Sequence, residues 1–294
     1  MTAPVPPRMR SWLFAPGDSE RKMAKAAASD ADLVLFDLED AVATESKPQA
    51  RRLVHDFLAA NEAGRERLWV RINPLDGPHT LDDLVAIMPA RPGGIMLPKV
   101  YGCQDVDVLD HYLTAFEAAQ GIERGSTPVI VLITETAEAM FHTGSYKGAP
   151  RVIALTWGAE DLADSIGAAS NRNPDGAYSF TYELARSMTL LGAATAGVPA
   201  IETIHADFRD SEGLRRRADQ VRRDGYAGML AIHPDQVAVI NAAFTPGDEE
   251  IARAQAIVDV FAANPGVGTI GFEGAMLDRP YLARAQRLLA QAGR

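Results

Sequence analysis

Short apolar runs recur along the chain at regular intervals, most of them followed by a helical pattern, and several end on a charged residue. Strands are expected near 12–15, 33–36, 68–71, 94–97, 129–133, 152–155, 200–203 and 228–232. Helices are expected near 19–28, 48–60, 81–87, 106–119, 137–142, 181–196 and 213–224. Strands joined by helical crossovers pair in parallel, and eight of them close most simply into a (β/α)₈, or TIM, barrel. A doubly wound open sheet is the alternative; it ranks lower because polar residues end many strands instead of gathering at one switch point.

From about Asp248 the alternation stops. A helix through Ala263, a glycine-rich stretch (NPGVGTIGFEGA) and a last helix from Pro280 follow. The expected organisation is a barrel domain over 1–247 and a C-terminal helical extension over 248–294, acting as a lid or an oligomer contact. Four glycines, at 266, 268, 271 and 274, would permit the hinge motion of a lid. A packed helix sealing the barrel is the plainer reading.

Size and charge exclude several classes. A chain of 294 residues can build a large core and remain one domain. A net charge of −10 argues against nucleic acid as a general partner, though a local basic patch for a phosphorylated ligand stays open. The single cysteine, Cys103, excludes an intramolecular disulfide, and nothing beside it marks an activated thiol. The N-terminus, MTAPVPPRMRSW, lacks the apolar core of a signal peptide, and no stretch approaches the roughly 20 apolar residues of a membrane span. A soluble cytoplasmic protein without a membrane partner is expected. Walker, dinucleotide-binding and Gly-x-Ser-x-Gly motifs are absent from the sequence.

In a barrel of this kind the carboxyl ends of the strands converge on one mouth, where the chemistry sits. Glu39 and Asp40 follow LVLFDL, Arg71 ends LWVR, Glu135 follows VIVLIT, and Asp161 follows VIALTWGAE. Glu135 and Asp161 at neighbouring strand ends suit Mg²⁺, which takes one or two protein carboxylates and fills its octahedron with water or substrate oxygens. The plainer reading makes Glu135 a charge at a helix start and Asp161 an N-cap. Glu39 and Asp40, with Asp37 two residues earlier, could hold metal waters, position an arginine or act as acid and base; a solvated loop pair is the alternative. Arg71 could stabilise an enolate or clamp a carboxylate, or simply pair with that acidic doublet. Lys99 sits among carboxylates that should keep it charged, so an ion-pair role is favoured over a Schiff base. His205 and His233 belong to no spaced ligand motif, and a structural role is expected. Arg10 could meet an anionic ligand, although a lone N-terminal arginine is usually solvated.

The stretches RSWLFAPGDSERKMAKA, ADLVLFDLEDAVATESKPQAR, WVRINP, GIMLPKV, TETAEAM, GAEDLADSIGA, IETIHADF, AIHPDQV and EGAMLDRPYLARAQ span nearly the whole chain in order. Together they resemble the HpcH/HpaI aldolase and citrate lyase β-subunit superfamily in its CitE-like branch. The resemblance implies a Mg²⁺-dependent lyase of 3-hydroxyacyl-CoA thioesters such as citramalyl-, malyl- or citryl-CoA, working by retro-Claisen chemistry as a homotrimer or hexamer. Its small-molecule partners would be an acyl-CoA thioester and a 2-oxo acid. It further implies Glu135 and Asp161 as metal ligands, with Glu135 also near the substrate. Arg71 would meet the oxo-acid carbonyl and developing enolate, and Glu39 and Asp40 would support the water shell and Arg71. Arg10 would lie near the CoA phosphates, Gly158 would meet the substrate carboxylate, and Asp278 would act as a lid acid, in some members in a neighbouring subunit's site. The same resemblance admits a citrate lyase β subunit acting on an acyl-carrier thioester, or a CoA-free class II aldolase. The loop 167–178 is expected to shape the acyl pocket.

Overall fold

The computed structural model describes residues 8–293. Eight parallel strands close into one barrel in sequence order: β1 (Ser11–Pro16), β2 (Leu33–Asp37), β3 (Leu68–Arg71), β4 (Gly94–Leu97), β5 (Val129–Leu132), β6 (Val152–Thr156), β7 (Ala200–Glu202) and β8 (Gly228–Ala231). β8 returns to β1 through Ser11↔Met229 and Trp12↔Leu230, so the sheet has no edge. Most of these strands are buried along their whole length, which explains why they read as continuous apolar runs rather than as alternating ones. The expected closed barrel is the observed one.

Outside the barrel run α1 (Glu20–Ala27), α2 (Lys47–Ala60), α3 (Thr80–Ile87), α4 (Cys103–Gln120), α5 (Ala159–Ser165), α6 (Phe180–Ala196), α7 (Ser211–Asp224) and α8 (Pro234–Ala243). Each amphipathic crossover buries a stripe: Ala50, Val54 and Leu58 on α2, and Leu214, Ala218 and Val221 on α7. The start of α7 is fixed by Asp210, whose carboxylate accepts the Gly213 N–H at 2.8 Å, and Gly225 ends it at φ 116°. The segment expected as a helix over 137–142 holds only a 3₁₀ turn, Ala139–Phe141. Helices α5 and α8 were not anticipated, since each is a short stretch that follows closely on a strand. None of the described helices is long and apolar enough to cross a membrane.

Inward-facing side chains pack in layers, with Trp12, Leu33, Leu35, Trp69, Met96, Ile130, Leu132, Ala154, Ile201 and Leu230 in one apolar cluster. Trp12 meets Trp69 edge to face, with centroids 5.2 Å apart, and each indole N–H donates to a backbone carbonyl, of Met9 and Glu66 respectively. Gly94 makes room for them. A Cβ there would lie 2.5 Å from the Trp69 ring.

The chain divides into two compact units, one ending at Asn241 and one beginning at Ala242. In the second, α9 (Asp248–Ala263) and α10 (Arg279–Gln291) pack around an antiparallel hairpin of β9 (Thr269–Phe272) and β10 (Ala275–Asp278). Ile257, Phe261, Leu277 and Leu289 are its buried apolar centre. The glycine-rich stretch is therefore paired structure. Its turn is Glu273-Gly274, both at positive φ (48° and 78°), as a two-residue hairpin loop of the primed type requires.

Replacing Gly94 with alanine must displace the Trp69 indole from its contact with Trp12. We expect Gly94→Ala to cost about 1–3 kcal/mol, read as a lower urea midpoint together with a changed tryptophan emission in the folded state. An unchanged midpoint would show that this layer has slack.

Candidate active site

Strand period places the first functional pair. On β2 the residues Leu33, Leu35 and Asp37 share a face, and on β3 so do Trp69 and Arg71; the leucines and the tryptophan point into the barrel. Asp37 and Arg71 are register partners at the carboxyl ends of their strands. Arg71 binds Asp37 through both ends, Nε to Oδ1 at 2.8 Å and Nη2 to Oδ2 at 2.6 Å. Its Nη1 lies 2.7 Å from Glu39 Oε2, and its guanidinium sits over the Phe14 ring at 4.9 Å. Burial acts to lower the Arg71 pKa, but the charges of Asp37, Glu39 and Glu135 outweigh it and raise the value above its ordinary range. Arg71 is a permanent cation.

The turn after β2 carries Glu39 and Asp40, and buried groups fix its path. Asp37 accepts the Glu39 N–H at 2.9 Å and the Ala41 N–H at 3.2 Å. Lys47 donates its ammonium to the carbonyls of Leu38 and Glu39, both at 2.8 Å. Asn73 donates to the Leu38 carbonyl at 2.9 Å and is itself held by Asp83, which is paired with Arg51. Burial raises the Glu39 pKa despite Arg71 and Lys99. For Asp40, burial is overcome by its bond to Lys99, and the pKa falls.

Lys99 follows β4 and bridges three carboxylates: Glu39, Asp40 at 2.7 Å and Asp161 at 3.1 Å. Burial opposes its charge, but Asp40 and Glu39 hold the proton on and raise its pKa. The ion-pair reading of Lys99 thus agrees with the geometry. Its backbone lies at φ 50°, a conformation rare for a side chain of this kind, and this turns its N–H toward Glu135 Oε2 at 2.6 Å.

Glu135 is 3% exposed. It lies in the turn after β5 and is outside any helix, so the reading of it as a helix-start charge fails. Asp161 sits in the first turn of α5 behind the cap residue Gly158, and is not itself the cap. Gly158 is where the backbone passes Glu135: a Cβ there would be 3.0 Å from the Glu135 carboxylate. Burial pushes the Glu135 pKa well above the usual carboxylate range, and the charges of Asp161 and Glu39 push it the same way.

Several of these groups line a cavity of about 340 Å³ at the carboxyl ends of the strands. Asp37, Asp40, Arg71, Glu135, Gly158, Glu160 and Asp161 belong to its polar part, and Phe14, Leu132, Trp157, Ile204, Leu230 and Ile232 to its apolar part. Loop 167–178 is not among the described residues that wall it; strand ends set its shape instead. Hard oxygen donors crowded around the buried Glu135, with Lys99 as the neighbouring cation, are a donor set that fits Mg²⁺. Among the described residues no group of three or more His, Cys, Asp or Glu side chains is disposed as a metal cage.

One expected residue stands at the other end of the barrel, and another belongs to the second unit. Arg10 precedes β1, at the amino ends of the strands and thus the far end of the barrel from the cavity, where Asp32 binds it at 2.9 and 2.7 Å. In place of the expected contact with CoA phosphates, Arg10 makes a structural pair at this end of the barrel. Asp278 belongs to the second unit, at the junction of β10 and α10, with Oδ1 buried and without a hydrogen-bond partner. The residue underrated from sequence was Asp37, whose inward phase on β2 was the available signal. Lys47, Asn73 and Asp83 gave none, because they act on backbone carbonyls and on each other. Cys103 starts α4, and burial with Asp107 and Asp105 raises its pKa, which leaves it protonated.

Residues 10–234 match the family model of HpcH/HpaI aldolase/citrate lyase. A "citrate lyase subunit beta-like protein" of Mycobacterium tuberculosis is 36% identical over 96% of this chain and 95% of its own length. The L-malyl-CoA/beta-methylmalyl-CoA lyase of Rhodobacter capsulatus is 33% identical over 98% and 96%. The crystal structure of CitE from M. tuberculosis, in complex with magnesium, acetoacetate and coenzyme A, superposes with a TM-score of 0.80 at 33% identity, covering 99% of this chain and all of that one.

The raised Glu135 pKa has a consequence for the metal-free protein. Unfolded, the carboxyl titrates near 4.5. A value raised on folding contributes stability that is complete below that pH and lost as pH climbs through the folded value. Glu135→Gln fixes the neutral form. In EDTA, the melting temperature of the variant minus that of the parent should therefore grow as pH rises above about 5; a flat difference would mean that Glu135 is ionised throughout.

Proposed function

The chain belongs to the HpcH/HpaI aldolase/citrate lyase family, and from that premise we propose that it is a Mg²⁺-dependent carbon–carbon lyase. It cleaves, or in reverse forms, a 3-hydroxyacyl-CoA thioester of the malyl, citramalyl or citryl kind. The observation that carries this reading is the meeting of Glu135, Asp161 and Arg71 at one cavity from three separate strands and the turns that follow them. Glu135 and Asp161 are the residues that would hold Mg²⁺. When bound, the ion supplies Lewis acidity and a template for the oxygens of the oxo-acid portion.

The chain's own groups account for the rest. Arg71 presents a fixed positive charge to the oxo-acid carbonyl and to the thioester enolate left when the bond breaks. Asp37, Glu39 and Phe14 hold it in place, so no reorganisation is needed as that charge develops. Glu39, poised by burial and two cations, can take or return a proton at its carboxylate. The backbone at Gly158 admits the substrate carboxylate beside Glu135, where a side chain would intrude. Asp278 is the proposed acid that protonates the enolate, from this chain or from a second copy. A homotrimer or hexamer is proposed as the working assembly; the exposed face of α6, with Phe180, Leu184 and Leu191 at 79%, 41% and 62% exposure, supports a surface that another copy covers.

The test is turnover of malyl-, citramalyl- and citryl-CoA by the purified protein alone. Cleavage should be lost in EDTA and in Glu135→Ala and Asp161→Asn, and Mg²⁺ should raise the melting temperature of the parent but of neither variant. Arg71→Ala should lower kcat/KM by about 10²–10³-fold, the usual loss for one electrostatic donor at a developing anion. Absent cleavage by a folded protein that binds Mg²⁺ would point to an acyl-carrier-dependent subunit or a CoA-free aldolase. Retained activity in Asp161→Asn would remove Asp161 from the metal site.

A further inference from the structure

The charged residues of the cavity all lie on one part of the barrel's circumference, where Leu132 and Trp157 are their apolar neighbours. Turns and ends of β2, β3, β5 and β6 bring Asp37, Asp40, Arg71, Glu135, Glu160 and Asp161. The remaining arc, from β7, β8 and β1, brings Ile204, Leu230, Ile232 and Phe14, with the hydroxyl-bearing Thr203. Leu230 is 2% exposed and Ile232 is 38% exposed, so the apolar arc runs from the floor to the rim. Trp157 also lines the cavity, but its ring N–H is committed to Glu202 at 3.1 Å.

A 3-hydroxyacyl thioester of this family releases a 2-oxo acid whose carboxylate and carbonyl face the metal and Arg71. The other substituent on the carbonyl carbon must lie elsewhere in the cavity. It can be hydrogen or alkyl, as in a malyl or citramalyl thioester, or it can carry a second carboxylate, as in a citryl thioester. A second carboxylate directed at the apolar arc would be desolvated against isoleucine, leucine and phenylalanine without a partner of opposite charge. Directed at the polar arc, it would join carboxylates that already raise one another's pKa, while Arg71 is committed to Asp37 and Glu39. An alkyl group meets neither cost and gains the apolar contact.

We propose that this lyase releases a 2-oxo monocarboxylic acid bearing hydrogen or a short alkyl group, and that Ile204 and Ile232 are its specificity-determining side chains. The proposal rests on the lyase reading above and narrows its substrate class.

Binding decides it without turnover. Calorimetric titration of the whole protein in MgCl₂ with pyruvate, 2-oxobutyrate and freshly dissolved oxaloacetate should give dissociation constants at least about tenfold lower for the two monocarboxylates. Ile232→Arg places a guanidinium on the open part of the arc and should shift the oxaloacetate-to-pyruvate ratio at least about tenfold toward oxaloacetate. Oxaloacetate binding as tightly as pyruvate to the parent would overturn the proposal and leave the lyase reading standing. An unchanged ratio in Ile232→Arg, folded by circular dichroism, would remove Ile232 from the specificity role. If none of the three acids binds while Mg²⁺ does, the lyase reading itself fails.

Discussion

Arg71 is gripped from three directions: both oxygens of Asp37, one oxygen of Glu39 and the face of Phe14. Carboxylates set side by side in a poorly solvated cavity repel one another, and only fixed cations make the arrangement tolerable. Arg71 does this at the centre and Lys99 at the rim, where it bridges Glu39, Asp40 and Asp161. The surrounding backbone is arranged to keep these two cations in place. Lys47 and Asn73 pin the carbonyls between Asp37 and Asp40, and the left-handed backbone at Lys99 lets one residue serve Glu135 with its N–H and the other carboxylates with its ammonium.

The balance leaves Glu135 short of compensation. It is buried, it accepts one backbone N–H, and its neighbours Asp161 and Glu39 carry the same sign. A cation that completes this corner would find a vacancy in charge rather than in space. The donor set that fits Mg²⁺ and the raised pKa are thus two expressions of the same electrostatic deficit.

Much of this was legible from the residues. All eight strands could be placed because a strand buried on both faces leaves an unbroken apolar run, and the charged residues ending them marked the mouth. Asp37 could have been assigned inward from its phase with Leu33 and Leu35, yet the eye goes to the Glu39-Asp40 doublet that follows it. Helices α5 and α8 escaped because each follows closely on a strand and spans few turns. The β9–β10 hairpin hid behind glycines that suggest flexibility, although Glu273-Gly274 is a turn sequence. Arg10 was misplaced because a resemblance in motif says nothing about which end of a strand a residue caps. The network of Lys47, Asn73 and Asp83 could not be read at all, since its targets are peptide carbonyls, which every residue has.

The division of the cavity also has a genetic meaning. Residues that bear charge fall between positions 37 and 161, whereas most of the apolar arc falls between 203 and 232. Reactivity and choice of substrate are therefore written in different stretches of the gene. A lineage, or a laboratory library confined to a few codons after the seventh and eighth strands, could explore new acids while inheriting an intact reaction centre.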